Sequence, residues 1–285
     1  MSWQNNLHSV SPYIAGEQPE LTDMIKLNTN ENPYQPSLQV QKVIEDFKSE
    51  NLRLYPSTDA KFLRKALAEY HHLNTDQVFI GNGSDEVLSL SFLTFFNGQR
   101  AILMPDISYS FYPIYCELYR IPYQKIPLAD DFSLSVNSYF QENGGIVIAN
   151  PNAPTGMAIS LQEIEEILQN NQDSIVLIDE ASLNDETYFQ KSVSKIITTR
   201  ENFKNELIKL GFQVTDSKTN FVFVHHPKID ATTLFKVLYE AKIIVRHWNQ
   251  ARISDWLRVT IGTDREMNTV IQFLKEYLKN KEKSY

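Results

Sequence analysis

Ile146-Val147-Ile148-Ala149-Asn150-Pro151-Asn152-Ala153-Pro154-Thr155-Gly156, with Ser160 and Glu163 beyond it and then Ile175-Val176-Leu177-Ile178-Asp179-Glu180, is the stretch that decides the fold. Ile146 to Ala149 is a short continuous apolar run, the mark of a strand buried on both faces. It gives way to a polar loop punctuated by proline and glycine. Ser160 followed three residues later by Glu163 predicts a capping box and therefore a helix start. Ile175 to Ile178 is a second buried strand, and it ends on Asp179-Glu180.

The same rhythm extends toward the N-terminus. Val78-Phe79-Ile80 reads as a strand ending in Gly81-Asn82-Gly83-Ser84-Asp85-Glu86, with an apolar helix through Phe96. Ala101 to Met104 is a strand, Ser108 to Tyr119 a helix and Ile121 to Ile126 a third strand. Helices are predicted from Leu38 to Lys48 and from Ala60 to His71. The second carries Phe62, Leu63, Ala66, Leu67 and Tyr70 at helical spacing. Residues 1–33 read as an arm. Short apolar strands alternating with helices predict an α/β three-layer sandwich around a mainly parallel sheet. Ligands bind such sheets at the strands' carboxyl ends, where three polar motifs of this sequence fall.

The rhythm changes after Ser182. Leu183 to Leu210 reads as one long helix with Phe189, Val193, Ile196, Phe203 and Leu207 along a stripe, ended by Gly211. Strands follow at Asn220 to His225, Ile243 to Trp248 and Trp256 to Ile261, with helices near 230–241 and 264–280. The expected organisation is an N-terminal arm over 1–33, a large domain over 34–182 and a smaller C-terminal α+β domain over 183–285.

Bulk properties narrow the function classes. A chain of 285 residues with a formal charge of −8 does not suit a nucleic-acid or anionic-membrane surface. No apolar run reaches the roughly 20 residues that span a bilayer, and the first residues lack a secretory pattern. A single cysteine, Cys116, permits no intramolecular disulfide and suits the cytoplasm. Cys116 itself reads as a small helix residue. His71-His72 and His225-His226 lack the spacing of a helical metal site, so no metal is expected.

Each motif admits two readings. Gly81 to Asp85 joins a strand to a helix N-terminus, where free N–H groups favour a phosphate; the other reading is an ordinary tight turn capped by Ser84 or Asp85. Asp179 at a strand's end can pair with a protonated ring nitrogen, or simply cap a helix. Tyr109 and Tyr112 can stack on a planar cofactor or fill the core. Arg246 and Arg258 lie in apolar strands, where each needs an anion: a substrate carboxylate or phosphate, or an internal Asp or Glu.

Taken in order, the motifs resemble the fold-type-I pyridoxal-phosphate enzymes, above all the histidinol-phosphate aminotransferase family. The matching stretches are Lys26 to Pro33, Tyr55-Pro56, Gly81 to Glu86, Asn150 to Gly156, Ile178 to Ala181 and Leu257 to Thr263. The resemblance implies pyridoxal 5'-phosphate as cofactor. Ser84 and Asp85 would hold its phosphate, Tyr109 would stack on its ring and Asp179 would pair with the ring nitrogen. Asn152 would lie near the phenolic oxygen, although Ala153 stands where the family has asparagine before Pro-Thr-Gly. Tyr55 would reach the site of a second subunit in a homodimer. Arg246 and Arg258 would grip the anionic ends of histidinol phosphate, imidazole-acetol phosphate, glutamate or 2-oxoglutarate.

One departure is large. The family follows Asp-Glu-Ala with a ring-contacting tyrosine and further strands that carry the Schiff-base lysine and a phosphate-binding arginine. Here Ala181 leads through Ser182 straight into Leu183-Asn184-Asp185-Glu186-Thr187-Tyr188-Phe189, which resembles the helix entering the small domain. Several tens of residues are therefore absent, the catalytic lysine among them. Lys191, Lys195, Lys204 and Lys209 come next, all on the long helix, and read as solvated. The expected function is a pyridoxal-phosphate-dependent aminotransferase of histidine biosynthesis with impaired catalysis. The alternatives are a non-catalytic remnant that binds cofactor or an intact subunit, and another phospho- or aromatic amino-acid aminotransferase or related decarboxylase.

Overall fold

The computed structural model describes residues 4, 7–10, 16–19, 22–180 and 187–282. Ala181, Ser182 and the first residues of the expected long helix, 183–186, lie outside the described residues, as does much of 1–21. Among the described residues no helix is long and apolar enough to cross a membrane.

The first half is built around a four-stranded sheet. Before it come β1 (Ile25–Lys26), α1 (Leu38–Glu45), α2 (Lys61–Tyr70) and α3 (Ser84–Phe95). Then β2 (Ile102–Pro105), α4 (Phe111–Tyr119), β3 (Tyr123–Ile126), β4 (Ile146–Ala149), α5 (Leu161–Gln169) and β5 (Val176–Asp179) alternate. The strands run in the order β3-β2-β4-β5, and every pairing is parallel. Side chains alternate across the pleat. Ile102, Met104, Val147 and Ala149 face α3 and α4, where Phe92, Phe96, Tyr112 and Cys116 cover them. Leu103, Ile146 and Ile148 face the other way, toward Ile167 of α5 and Tyr139. Two covered faces make the expected three layers. The Ser160–Glu163 capping box forms as predicted.

The second half is antiparallel. After α6 (Thr187–Lys209) come β6 (Gln213–Val214), β7 (Phe221–His225), α7 (Ala231–Glu240), β8 (Ile243–Ile244), β9 (Arg246–His247), β10 (Leu257–Thr260) and α8 (Asp264–Glu282). The sheet order is β6-β7-β10-β9. Val222, Val224, Leu257 and Val259 pack against Phe203 and Leu207 of α6, Leu234 of α7 and Ile271 of α8. On the opposite face Phe223 joins Ile107, Leu128 and Phe132 of the first half, and its ring stacks on Trp256 at 4.9 Å. A single apolar cluster therefore bridges the two sheets.

Three expectations are corrected. Val78-Phe79-Ile80 forms no strand. Its carbonyl at Val78 is taken by the Arg64 Nε, 3.0 Å away, and Phe79 is 63% exposed. An apolar run becomes a strand only beside a partner, and among the described residues the sheet stops at β5. Ile243 to Trp248 is not one strand: β8 pairs with β1 while β9 pairs with β10, and buried Val245 makes the switch. Part of the arm is also packed, since β1 lies on β8 and Leu27 and Asn28 are buried behind it. In addition, the apolar stripe of α2 faces outward, leaving Phe62 and Leu63 exposed.

Candidate functional site

Asp179 closes β5 in register with Ala149, so its side chain leaves the sheet at the carboxyl end. Its Oδ2 accepts a hydrogen bond from the buried Tyr112 hydroxyl at 2.7 Å. Among the described residues nothing donates to its Oδ1. Burial pushes the Asp179 carboxyl above its ordinary range, the Tyr112 hydrogen bond opposes this, and the negative Asp85 adds to the rise. No lysine or arginine among the described residues offsets that charge. Burial and the Asp179 charge together keep Tyr112 protonated, so it remains a donor.

Ser84 and Asp85 open α3 behind Gly83, which sits at φ +88° as N-cap and offers no side chain. A left-handed φ suits glycine, and the space beside its Cα is open. Among the described residues nothing accepts the backbone N–H groups of Ser84, Asp85 or Glu86. Free amides and the helix dipole make an anion cradle there. The Asp85 side chain is turned to the protein: its Oδ1 accepts from the Tyr109 hydroxyl at 2.7 Å and the Tyr115 hydroxyl at 3.2 Å. Tyr109 thus stands between the cradle and Tyr112, whose ring it meets edge-on at 5.6 Å.

Tyr109 also lines a narrow cleft of about 70 Å³ with Ser108, Arg246, Trp248 and Arg258. Arg246 and Arg258 are directly opposed across β9 and β10. Both guanidiniums lie 5.2 Å from the Trp248 ring, and Arg258 donates to the Asn28 carbonyl at 2.9 Å. Like charges opposed on a sheet repel, and an anion between them relieves the cost. A larger cleft of about 490 Å³ between α6 and α8 contains none of the predicted site residues.

The structure gives Asn152 a different task from the expected one. It is buried; its amide nitrogen donates to the Ile107 carbonyl and to Thr155 Oγ1, both at 3.0 Å, and its oxygen accepts from Ser108 Oγ at 2.8 Å. Both amide hydrogens are spent on shaping the loop. The loop is also clipped to the second sheet. Thr215 Oγ1 donates to the Thr155 carbonyl at 2.7 Å, and the Lys218 N–H donates to the Gly156 carbonyl at 2.8 Å. Gly156 sits at φ +76°, and a Cβ there would meet Ser217 Oγ at 2.5 Å.

The structure therefore gathers Ser84, Asp85, Tyr109 and Asp179 into one cluster and places Arg246 and Arg258 in the adjoining cleft. Tyr55 is fully exposed and apart from them. Lys191 and Lys195 are exposed on α6, with Lys195 over the Tyr34 ring. Lys204 pairs with Asp216 and Lys209 with Glu206. Cys116 is buried, and burial pushes its thiol up to about 12. Two contributors escaped the sequence reading. Trp248, within 5.2 Å of both guanidiniums, carried only the signal of an aromatic near Arg246, and Arg252, which donates to Asp106 at 2.7 Å, carried none.

The chain belongs to aminotransferase class I and II, whose family model matches residues 22–182 and 180–274. The two matched segments meet at 180–182, where the sequence reading placed the missing stretch. Histidinol-phosphate aminotransferase is the name carried by its relative from Lactococcus lactis subsp. cremoris (strain SK11), 79% identical over 356 residues and aligned along the whole of both chains. That alignment is longer than the 285 residues of this chain. An identity of 79% over 356 positions leaves few mismatches among the residues present, so the two proteins differ chiefly by the absent segment. Among solved structures, the histidinol-phosphate aminotransferase from Clostridium acetobutylicum superposes with a TM-score of 0.82 at 20% identity, covering 90% of this chain and 100% of that one. The L-threonine-O-3-phosphate decarboxylase from Porphyromonas gingivalis reaches 0.71 at 17%, covering 90% and 100%. At such identities the likeness is one of fold.

Proposed function

We propose that this chain is a shortened histidinol-phosphate aminotransferase of histidine biosynthesis that holds pyridoxal 5'-phosphate without a covalent bond. The observation that carries the reading is the pair of family segments that abut at 180–182 while Asp179 and the α3 cradle remain. The side chains fit the cofactor's non-covalent needs. Asp179 Oδ1 is open to accept the ring N–H, the amides of Ser84 and Asp85 face an anion, and Tyr109 lies between them. Bound there, the cofactor supplies an electron sink for bonds to the substrate's amino-bearing carbon. What does not fit is the covalent and proton-shuttling role, because no lysine stands near Asp179 among the described residues.

Each remaining residue keeps one task. Asp179 holds the ring nitrogen protonated, and Tyr112 holds Asp179. Arg246 and Arg258, paired across β9 and β10 and both beside Trp248, take the anionic ends of histidinol phosphate, imidazole-acetol phosphate, glutamate or 2-oxoglutarate. The chain works in the cytoplasm as a homodimer. The exposed apolar side chains of α1 and α2 (Leu38, Val43, Ile44, Phe62 and Leu63) support self-association, as does the fully exposed Tyr55. The large unit over 34–182 binds cofactor, and the unit over 183–285 supplies the arginines.

An assay of amino transfer from glutamate to imidazole-acetol phosphate tests this. A positioned proton shuttle contributes roughly 10²–10⁴-fold, so turnover should lie at least that far below an intact relative's. Ordinary turnover would sink the proposal. The same exposed faces favour a second reading, a non-catalytic partner for an intact subunit. Mixed dimers on co-expression with a full-length relative would select it.

A further inference from the structure

Resting on the substrate reading of the arginine cleft above, we infer that Arg252 is a positioning residue for anion binding there. It bolts one wall of the cleft to the other and so sets the gap that the anion enters. The walls come from different halves: Ser108, Tyr109 and Pro154 from the first, Trp248, Gln250 and Ile253 from the second. The second wall belongs to the loop 248–256, which joins β9 to β10, the strands that carry Arg246 and Arg258. Ile253 is buried against Ile107, Leu128 and Phe132. Apolar burial is non-directional, so it holds the loop down without fixing where it stops.

Arg252 supplies the direction. Its guanidinium donates to Asp106 Oδ2 at 2.7 Å, to the Leu128 carbonyl at 2.9 Å and to the Ala129 carbonyl at 3.0 Å. A planar fork spread over three oxygens fixes place as well as distance. Asp106 directly precedes the first wall and has anchors of its own. Its Oδ1 accepts from the Leu128 N–H at 2.9 Å, and its N–H donates to the Ile126 carbonyl at 2.9 Å. Arg252 itself sits at φ +70°, a left-handed backbone that is costly for a residue with a Cβ. The three hydrogen bonds hold it there. Without them the loop and Trp248, 5.2 Å from both cleft guanidiniums, are free to shift while the strands stay paired. The anion then meets arginines that must be ordered as it binds.

Calorimetric titration of the full chain with pyridoxal 5'-phosphate, and then of the loaded protein with glutarate, an unreactive dicarboxylate, tests this. Arg252→Asn tolerates a left-handed backbone but is too short to reach Asp106. It should bind glutarate roughly tenfold more weakly and the cofactor as the parent does. Arg252→Lys, which keeps the charge and loses the fork, should fall between, at roughly threefold. Glutarate binding equal to the parent's in both variants overturns the inference and leaves the arginine cleft standing. Equal weakening of both ligands also overturns it, since a merely structural role would spare neither. If Arg252→Asn does not fold, Arg252→Lys decides alone, and unchanged glutarate binding sinks the idea. A parent that binds the cofactor but no glutarate overturns the substrate reading and the inference together.

Discussion

β4 and β7 are each the buried core strand of their own sheet, yet their neighbours differ. β7 lies between β6 and β10, both faces covered, with Phe223 fully buried. β4 has β2 on one side and, on the other, β5, all four residues of which are only half-buried. Ile175 at its start is 48% exposed. Among the described residues the antiparallel sheet buries its central strands fully, whereas the parallel sheet ends on the half-buried β5, the last strand before the point where the two family segments meet. The exposed edge belongs to the half that carries Asp179 and the α3 N-terminus, not to the half that carries Arg246 and Arg258. An edge of this kind also presents unpaired backbone groups to other chains.

The contrast can be broken first by truncating the two sheets in parallel. Phe223→Ala should cost about 3–5 kcal/mol, the range for a fully buried aromatic. Ile178→Ala, on a half-buried edge strand, should cost about 1–2 kcal/mol. Denaturant unfolding of both variants measures the gap, and equal losses would mean that the parallel sheet is better supported than its edge implies. Amide exchange sharpens the same point without mutation. The N–H groups of Val222 to Val224 should exchange roughly 100-fold more slowly than those of Val176 to Ile178.

The join between the halves is the next test. Arg252 donates to Asp106 and to the carbonyls of Leu128 and Ala129, all within 3.0 Å. Arg252→Ala should therefore lower stability by about 2 kcal/mol, and a melt splitting into two steps would show that the halves then part.

The smallest effect belongs to Asp179. Its carboxyl is held above the ordinary 3.8, so the folded state binds the proton more tightly than the unfolded chain does. Its contribution is fully present below that ordinary value and is lost as pH rises through the raised one. Asp179→Asn, which keeps an acceptor for Tyr112, should flatten this decline and melt slightly higher than the parent at neutral pH without ligand, by about 1 kcal/mol or less. Melting curves of both proteins from acid to neutral pH check the sign.

What the sequence reveals follows the same division. β2, β4 and β5 are legible because a continuous apolar run is what a strand covered on both faces requires. The capping box at Ser160 is legible because its chemistry is local. Val78 to Ile80 carries the same kind of apolar signal and yields no strand, since pairing depends on a neighbour that a local pattern cannot report. The break at Val245 and the two-residue β1 are hidden for the same reason. In the site, Asp179 and the α3 N-terminus are readable from their positions after apolar runs. The tyrosines converging on Asp85 and the amide commitments of Asn152 depend on distances across the fold.

Gly156 adds a mechanical consequence. Because its carbonyl is tied to Lys218 and its bare Cα is pressed against Ser217, loop 150–157 is a tie rod between the end of β4 and the hairpin that begins the second sheet. Arg246 and Arg258 lie on β9 and β10 of that same sheet. The carboxyl end of β4 and the strands that carry the two arginines are therefore fixed relative to each other through one short loop, with little slack.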